Sequence, residues 1–182
     1  CRYSTFQTKK KTRADYLKAL DAVVGRAPRP TLVHVNAFED LPTEFERQSL
    51  SLKHAITRGE LMAQQEQDRD GSFVRAFKAK ERPILFSTKC ARGIDFPGDM
   101  CNSVVFTKYP NPNMNDTFWK VLQKTHTNVF WDFYRDKARR EFLQRVYRAL
   151  RSEKDHVYVL SPDTRVLDAA RELQMAQNGK HL

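Results

Sequence analysis

Apolar positions along the chain change period several times, and each change marks an element. Tyr16, Leu17, Leu20, Val23 and Val24 recur every three to four residues, which places them on one face of a helix. That helix should end near Gly25, ahead of the loop holding Pro28 and Pro30. Residues 31–35 are a β-branched, apolar run, expected as a buried strand with Asn36, Ala37 and Phe38 at its C-terminal end. Polar and acidic residues then lead into a helix around 43–47, and the polar stretch 49–70 fits neither period. Gly71 and Ser72 open a short helix carrying Phe73, Val74 and Phe77 at helical spacing. Residues 83–86 and 103–107 read as strands, 116–136 as aromatic-rich and partly helical. Residues 138–151 read as a helix with Phe142, Val146, Tyr147 and Leu150 on one face. A last strand is expected at 156–160 and a C-terminal helix at 166–177. At the other end, residues 3–8 alternate enough for a short strand before the basic run Lys9, Lys10, Lys11 and Arg13.

Strands of four to six residues alternating with helices predict an α/β fold with a mostly parallel sheet. Such sheets bind ligands outside the carboxyl ends of their strands. No repeat, low-complexity tract or linker interrupts the 182 residues, so residues 1–182 are read as one domain. The chain opens on Cys1 and not on Met, which reads as a piece of a longer protein. No apolar run approaches the roughly 18 residues of a membrane helix, and no signal peptide is visible. An intracellular protein, in cytoplasm or nucleus, without a membrane partner is expected.

Charge adds the first functional clue. Lys plus Arg number 32 and Asp plus Glu 22, a formal net charge of +10. That surplus points toward polyanions. The three cysteines, Cys1, Cys90 and Cys101, form no CxxC. This disfavours a disulfide scaffold, a zinc ribbon or a self-contained iron–sulfur site, and no metal ligand set is predicted. His34 reads as a packed histidine, and residues 161–164 (Ser-Pro-Asp-Thr) as a loop and helix cap.

Two segments carry candidate chemistry. Residues 86–99, FSTKCARGIDFPGD, follow a short strand. Gly93 permits a tight backbone path beside a ligand, and Asp95 suits a ribose hydroxyl. Thr88, Lys89 and Arg92 offer a hydroxyl, a point charge and a fork to phosphates. The competing reading is a surface turn with incidental charge. In residues 144–151, QRVYRALR, Gln144, Arg148 and Arg151 fall at i, i+4 and i+7 on one helical stripe. Two arginines aimed at one point suit charge stabilisation in phosphoryl transfer; a solvated basic face is the alternative.

Together the segments resemble motifs of the superfamily 2 helicases. TKCARGIDFP is similar to motif V, QRVYRALR to motif VI, and TLVHVNAF at 31–38 to motif IV. IDFPGD, CNSVVFTKYPNPN and the Gln that opens motif VI look most like the XPD/DinG type. The resemblance covers roughly residues 3–170 and implies the second, C-terminal RecA-like domain of a motor, a three-layer sandwich around a mostly parallel sheet. It implies that Arg148, as the arginine finger, Arg151 and Gln144 complete an ATP site shared with a first RecA-like domain. Gly93 and Asp95 would lie near the nucleotide. Thr88, Lys89, Arg92, Asn36 and Phe38 would contact the backbone of single-stranded DNA, with RNA as an alternative strand. ATP and magnesium would be held mainly by the partner domain, because this chain has no GxxxxGK[ST] loop and no DEAH sequence.

Two residues depart from the family pattern: Lys89 stands where many relatives have an acidic or small residue, and Tyr147 stands where QxxGRxxR has glycine. Tyr147 favours the rival reading, a catalytically decayed RecA-like module that binds nucleic acid or docks to a partner. A free-standing hydrolase lacks support, since no nucleophile–base constellation is visible. Phe130, Trp131, Phe133 and Tyr134 are expected as core or an interdomain face, with base stacking as the alternative.

Overall fold

The computed structural model describes residues 12–68, 70–88 and 94–178. The expected strand at 3–8 and the candidate site residues Lys89, Arg92 and Gly93 lie outside the described residues. Four strands, β1 (Thr31–His34), β2 (Ile84–Ser87), β3 (Ser103–Phe106) and β4 (Tyr158–Leu160), form one sheet in the order β2-β1-β3-β4. Every pair is parallel, and the register sets Leu32 beside Leu85 and Val104, and Val104 beside Val159.

All residues of the two central strands, β1 and β3, are buried, as the continuous apolar runs demand of a sheet covered on both faces. Alternation divides them. Val33, Val35, Phe86 and Val105 pack against Tyr16, Leu17, Leu20 and Val24 of α1 (Arg13–Arg26) and Leu61 of α3 (Arg58–Gln67). Leu32, Leu85, Val104 and Phe106 pack on the opposite face. Their partners are Phe77 of α4 (Ser72–Lys78), Phe142 and Val146 of α6 (Thr127–Val146) and Val166 of α7 (Thr164–Asn178). The result is the expected α/β, RecA-like sandwich of helices, parallel sheet and helices.

Three of the helices start on the same device. Thr12, Thr43 and Thr57 each accept from the backbone N–H three residues on, while Asp15, Glu46 and Glu60 reach back to the cap N–H, opening α1, α2 (Glu44–Ser49) and α3. These reciprocal bonds satisfy orphan donors at each helix start. They also explain α3, which falls in the stretch whose apolar period was uninformative: its signature is Thr57-x-x-Glu60. Arg13 then clamps α1 to α2 through Glu46, Nε to Oε1 at 2.5 Å.

Boundaries differ most at α6. The helix runs from Thr127 to Val146, and residues 147–149 form a turn, so the expected helix to Arg151 stops five residues early. The aromatic stretch before it splits into α5 (Thr117–Thr125) and the start of α6. Trp119 and Phe130 are buried there and Tyr134 half-buried, whereas Trp131 and Phe133 are about half exposed.

Candidate functional site

Beyond α6 the chain no longer follows a helix, so Gln144, Arg148 and Arg151 do not share the regular stripe their spacing suggests. The turn nevertheless brings them together. With Asp95, Arg140, Leu143 and Tyr147 they line one open cavity of about 400 Å³. Asp95 brings the segment 94–97 to this cavity. Phe96 N–H donates to the Arg148 carbonyl at 2.8 Å, and Arg148 Nη1 donates to the Ile94 carbonyl at 3.2 Å. Arg151 Nε lies 3.2 Å from Asp95 Oδ2, with both side chains about half exposed. Residues from the two segments that carry candidate chemistry are therefore in direct contact.

A further carboxylate, which the sequence pattern did not single out, holds this arrangement. Asp155 Oδ2 accepts from the backbone N–H groups of Arg151 (2.7 Å) and Ser152 (2.8 Å), and its Oδ1 from Gly98 (3.2 Å). Those backbone donors hold its carboxyl below the usual aspartate range. Its donors Arg151 and Ser152 lie four and three residues upstream, not two residues downstream as in an Asx-turn, so no turn signature in the sequence pointed to it.

Tyr147 does not strain the chain. Its φ of −67° and ψ of −7° are right-handed helical values open to any residue, so no glycine is needed there for conformation. The ring, 38% exposed, forms part of the cavity wall.

A second, larger cavity of about 830 Å³ lies at the carboxyl ends of β1 and β3. Asn36, Lys108, Tyr109, Asn111, Lys137 and Arg165 are among the residues on its wall. Asn36 is committed to the framework: Nδ2 donates to the Tyr109 carbonyl at 3.1 Å, and Oδ1 accepts from Arg145 Nη1 at 2.6 Å. Lys108 Nζ lies 2.9 Å from Oδ1 of the buried Asp40. Phe38 is half-buried and packs on the α1-face core. Thr88, at the end of β2, accepts from Gln65 Nε2 at 2.6 Å. Of the residues read as strand contacts, Asn36 lines this cavity, while Phe38 and Thr88 are not among its lining residues.

His34 is the last residue of β1. It is fully buried, packs on Phe106 with ring centroids 5.1 Å apart and the planes tilted by 32°, and its Nε2 has no hydrogen-bond partner among the described residues. Burial first, then the charges of Arg145 and Arg148, push its pKa well below 6.5, against a hydrogen bond to the Arg145 backbone. The ring is neutral. Ser161 and Asp163 act as a loop and cap: Ser161 Oγ donates to the Phe106 carbonyl, and Asp163 Oδ1 accepts Arg165 N–H at the start of α7.

Among the described residues no group of three or more His, Cys, Asp or Glu side chains could hold a metal ion. No described helix is long and apolar enough to cross a membrane.

Comparison with known proteins agrees with this geometry. Residues 21–180 match the model of a helicase C-terminal domain. A protein of Methanocaldococcus jannaschii named "Probable ATP-dependent helicase MJ0942" is 26% identical over 180 residues, covering 88% of this chain and 26% of that protein. A protein of Staphylococcus saprophyticus named "3'-5' exonuclease DinG" is 28% identical over 104 residues, 57% of this chain and 12% of that protein. Its namesake in Staphylococcus epidermidis is 25% identical over 118 residues, 64% and 13% respectively. The chain thus spans about a quarter or less of the length of these curated relatives. With residues 21–180 matching that family's model on a parallel α/β sandwich, the chain belongs to the helicase C-terminal domain family, of the XPD/DinG type.

Proposed function

We propose that this chain, as one domain, is the second RecA-like half of an ATP-dependent nucleic-acid motor. Its arginine cavity completes an ATP site whose phosphate loop and magnesium belong to a first RecA-like domain of a longer, intracellular protein. The observation that carries this reading is the convergence of Gln144, Arg148 and Arg151 with Asp95 on one open cavity. The donors there are guanidinium and amide groups, the chemistry that suits phosphate oxygens.

In the proposed site Arg148 acts as the finger. Its planar fork neutralises charge developing on the transferred phosphoryl group, with Arg151 beside it and Gln144 reporting the nucleotide state. The Arg151–Asp95 pair is no obstacle. Exposed ion pairs are worth at most about 1 kcal/mol, so a phosphate can exchange for the Asp95 carboxylate at little cost. Gly93 and Asp95 are assigned to the nucleotide side of the cavity. Thr88, Lys89, Arg92, Asn36 and Phe38 are assigned to the single-strand track, Asn36 through the geometry it imposes on the strand-end cavity. DNA is the strand proposed, by the resemblance of the sequence to the XPD/DinG type.

Arg148→Ala in the full-length protein tests the reading. Arginine fingers are worth about 10³ to 10⁵ in rate; turnover should fall toward that range while single-strand affinity changes by less than about threefold. Near-normal turnover would falsify the assignment. The second reading, a decayed binding or docking module, draws on Tyr147, whose ring narrows the cavity where the family carries glycine. It would prevail if the parent reading frame lacks a phosphate loop upstream.

A further inference from the structure

Two faces of one helical turn serve the two cavities. Arg140 and Gln144 lie four apart on the face toward the arginine cavity, and Arg148 in the following turn lines the same cavity. Glu141 and Arg145, also four apart, line the strand-end cavity. Arg145 is the anchor between them. Its Nη1 donates to Asn36 Oδ1 at 2.6 Å and its Nε to Glu141 Oε1 at 2.9 Å, with the side chain only 16% exposed. Asn36 is fixed in turn by its N–H to Thr107 Oγ1 (3.2 Å) and by Nδ2 to the Tyr109 carbonyl (3.1 Å).

The position of Arg145 in the chain gives this anchor leverage. One residue later α6 ends, and the segment bearing Arg148 and Arg151 is held by turn bonds and by the Asp155 carboxylate, which accepts from Arg151 and Ser152 N–H. Tyr147 N–H reaches Leu143, Ala149 N–H reaches Val146, and Phe96 N–H holds the Arg148 carbonyl. A turn outside the regular helical ladder shifts more readily than a helix interior.

We propose that Arg145 is a positioning residue that couples occupancy of the strand-end cavity to the aim of the arginine pair. The proposal rests on reading the arginine cavity as part of an ATP site. A phosphate of a strand in the larger cavity offers the Arg145 fork a charged acceptor, which is stronger than the neutral amide oxygen of Asn36. The Asn36–Arg145 bond is then remade or exchanged, and the last turn of α6, with Arg148 three residues on, moves with it. The two states of that one bond are the bistable element such a coupling requires. Arg145 reaches its two acceptors with two different nitrogens, Nε and Nη1, a planar fork that the single ammonium of a lysine does not reproduce.

The test measures ATP turnover of the full-length protein with and without saturating single-stranded oligothymidylate, for Arg145→Ala, Asn36→Ala and the double variant. Each single change should cut the stimulation by the oligonucleotide about tenfold, within the roughly 5- to 150-fold span of typical coupled sites. The double change should cut it no further, because both remove the same bond. Arg145→Lys should behave as Arg145→Ala. A role in folding alone would lower stimulated and unstimulated turnover together and leave their ratio intact, which overturns the proposal. Losses that multiply in the double variant, or full stimulation in Asn36→Ala, overturn it as well. Asn36→Ala keeps the test decisive if Arg145→Ala does not fold. Arg148→Ala, run in parallel, separates the two readings. Turnover that survives it defeats the ATP-site assignment and this coupling together. Turnover that it abolishes, with multiplying Arg145 and Asn36 losses, defeats the coupling alone.

Discussion

His34 shows how one side chain records its surroundings. Flanking residues 31–35 made it look like a packed strand residue, but only the folded chain sets it against Phe106 and near two guanidinium groups. Its folded pKa lies well below 6.5, so above about pH 6.5 the ring is neutral in folded and unfolded chains alike and adds no slope. Below that the unfolded chain takes up a proton the folded chain refuses, and stability falls by up to about 1.4 kcal/mol per pH unit. Urea titrations of this chain between pH 7 and 5 should show that decline, and His34→Phe should flatten it. An equal slope in both proteins would place the titrating group elsewhere. Asp155 makes the same point for a half-buried residue near the surface: one carboxylate ties Arg151, Ser152 and Gly98 together, so Asp155→Ala should lower the melting temperature although it removes no apolar contact.

Helix starts depended on pairs of residues, and their energies can be checked pair by pair. Glu46 closes the capping box of α2 and carries the ion pair to Arg13, and those bonds hold its pKa at about 2 against an ordinary 4.5. The full difference corresponds to about 3 kcal/mol, and partial exposure to solvent reduces that to about 1 kcal/mol. A carboxylate whose folded pKa is depressed stabilises above its unfolded value and loses that contribution as pH falls toward the folded one. Glu46→Gln should therefore cost about 1 kcal/mol at pH 7 in chemical denaturation, and the gap should close between pH 4.5 and about 2. A gap that persists at pH 2 would assign the loss to packing. At α6 the element itself stops short of its apolar pattern. Val146 and Ala149 are both buried, so the burial rhythm continues through a turn that is no longer helix.

For the whole molecule the surplus of cations and the all-parallel sheet point the same way. A net charge of +10 should give sequence-independent binding to single strands that weakens steeply with salt through counterion release. Replacing Lys89 and Arg92 by Ala should weaken binding about equally for all sequences. It should also flatten the log–log salt slope by roughly 0.7 for each phosphate left without its cation. Filter or anisotropy titrations across a salt series would show it, and an unchanged slope would move the binding surface to the basic run at Lys9–Lys11. On the proposed reading the chain alone should have negligible ATP turnover, since half of the proposed site gives its arginines nothing to act on. Turnover that survives repurification and disappears in Arg148→Ala would overturn that expectation.

Periodicity and short-range chemistry were enough to determine the parallel α/β sandwich, the places of all four strands and the two segments that meet at the arginine cavity. Apolar runs must be buried on both faces of a sheet, and Gly-, Pro- and Thr-rich junctions punctuate them, so these features are written in neighbouring residues. Interactions between residues far apart in the chain left no such trace. That α6 ends at Val146, that Arg145 reaches back 109 positions to Asn36, and that Asn36 faces inward to the Tyr109 carbonyl were decided only when the sheet closed. Asp95 met Arg151 by the same route. A local pattern reports which face of an element is apolar; which polar groups then face each other depends on the packing of whole layers, where desolvation obliges each buried donor and acceptor to find a partner.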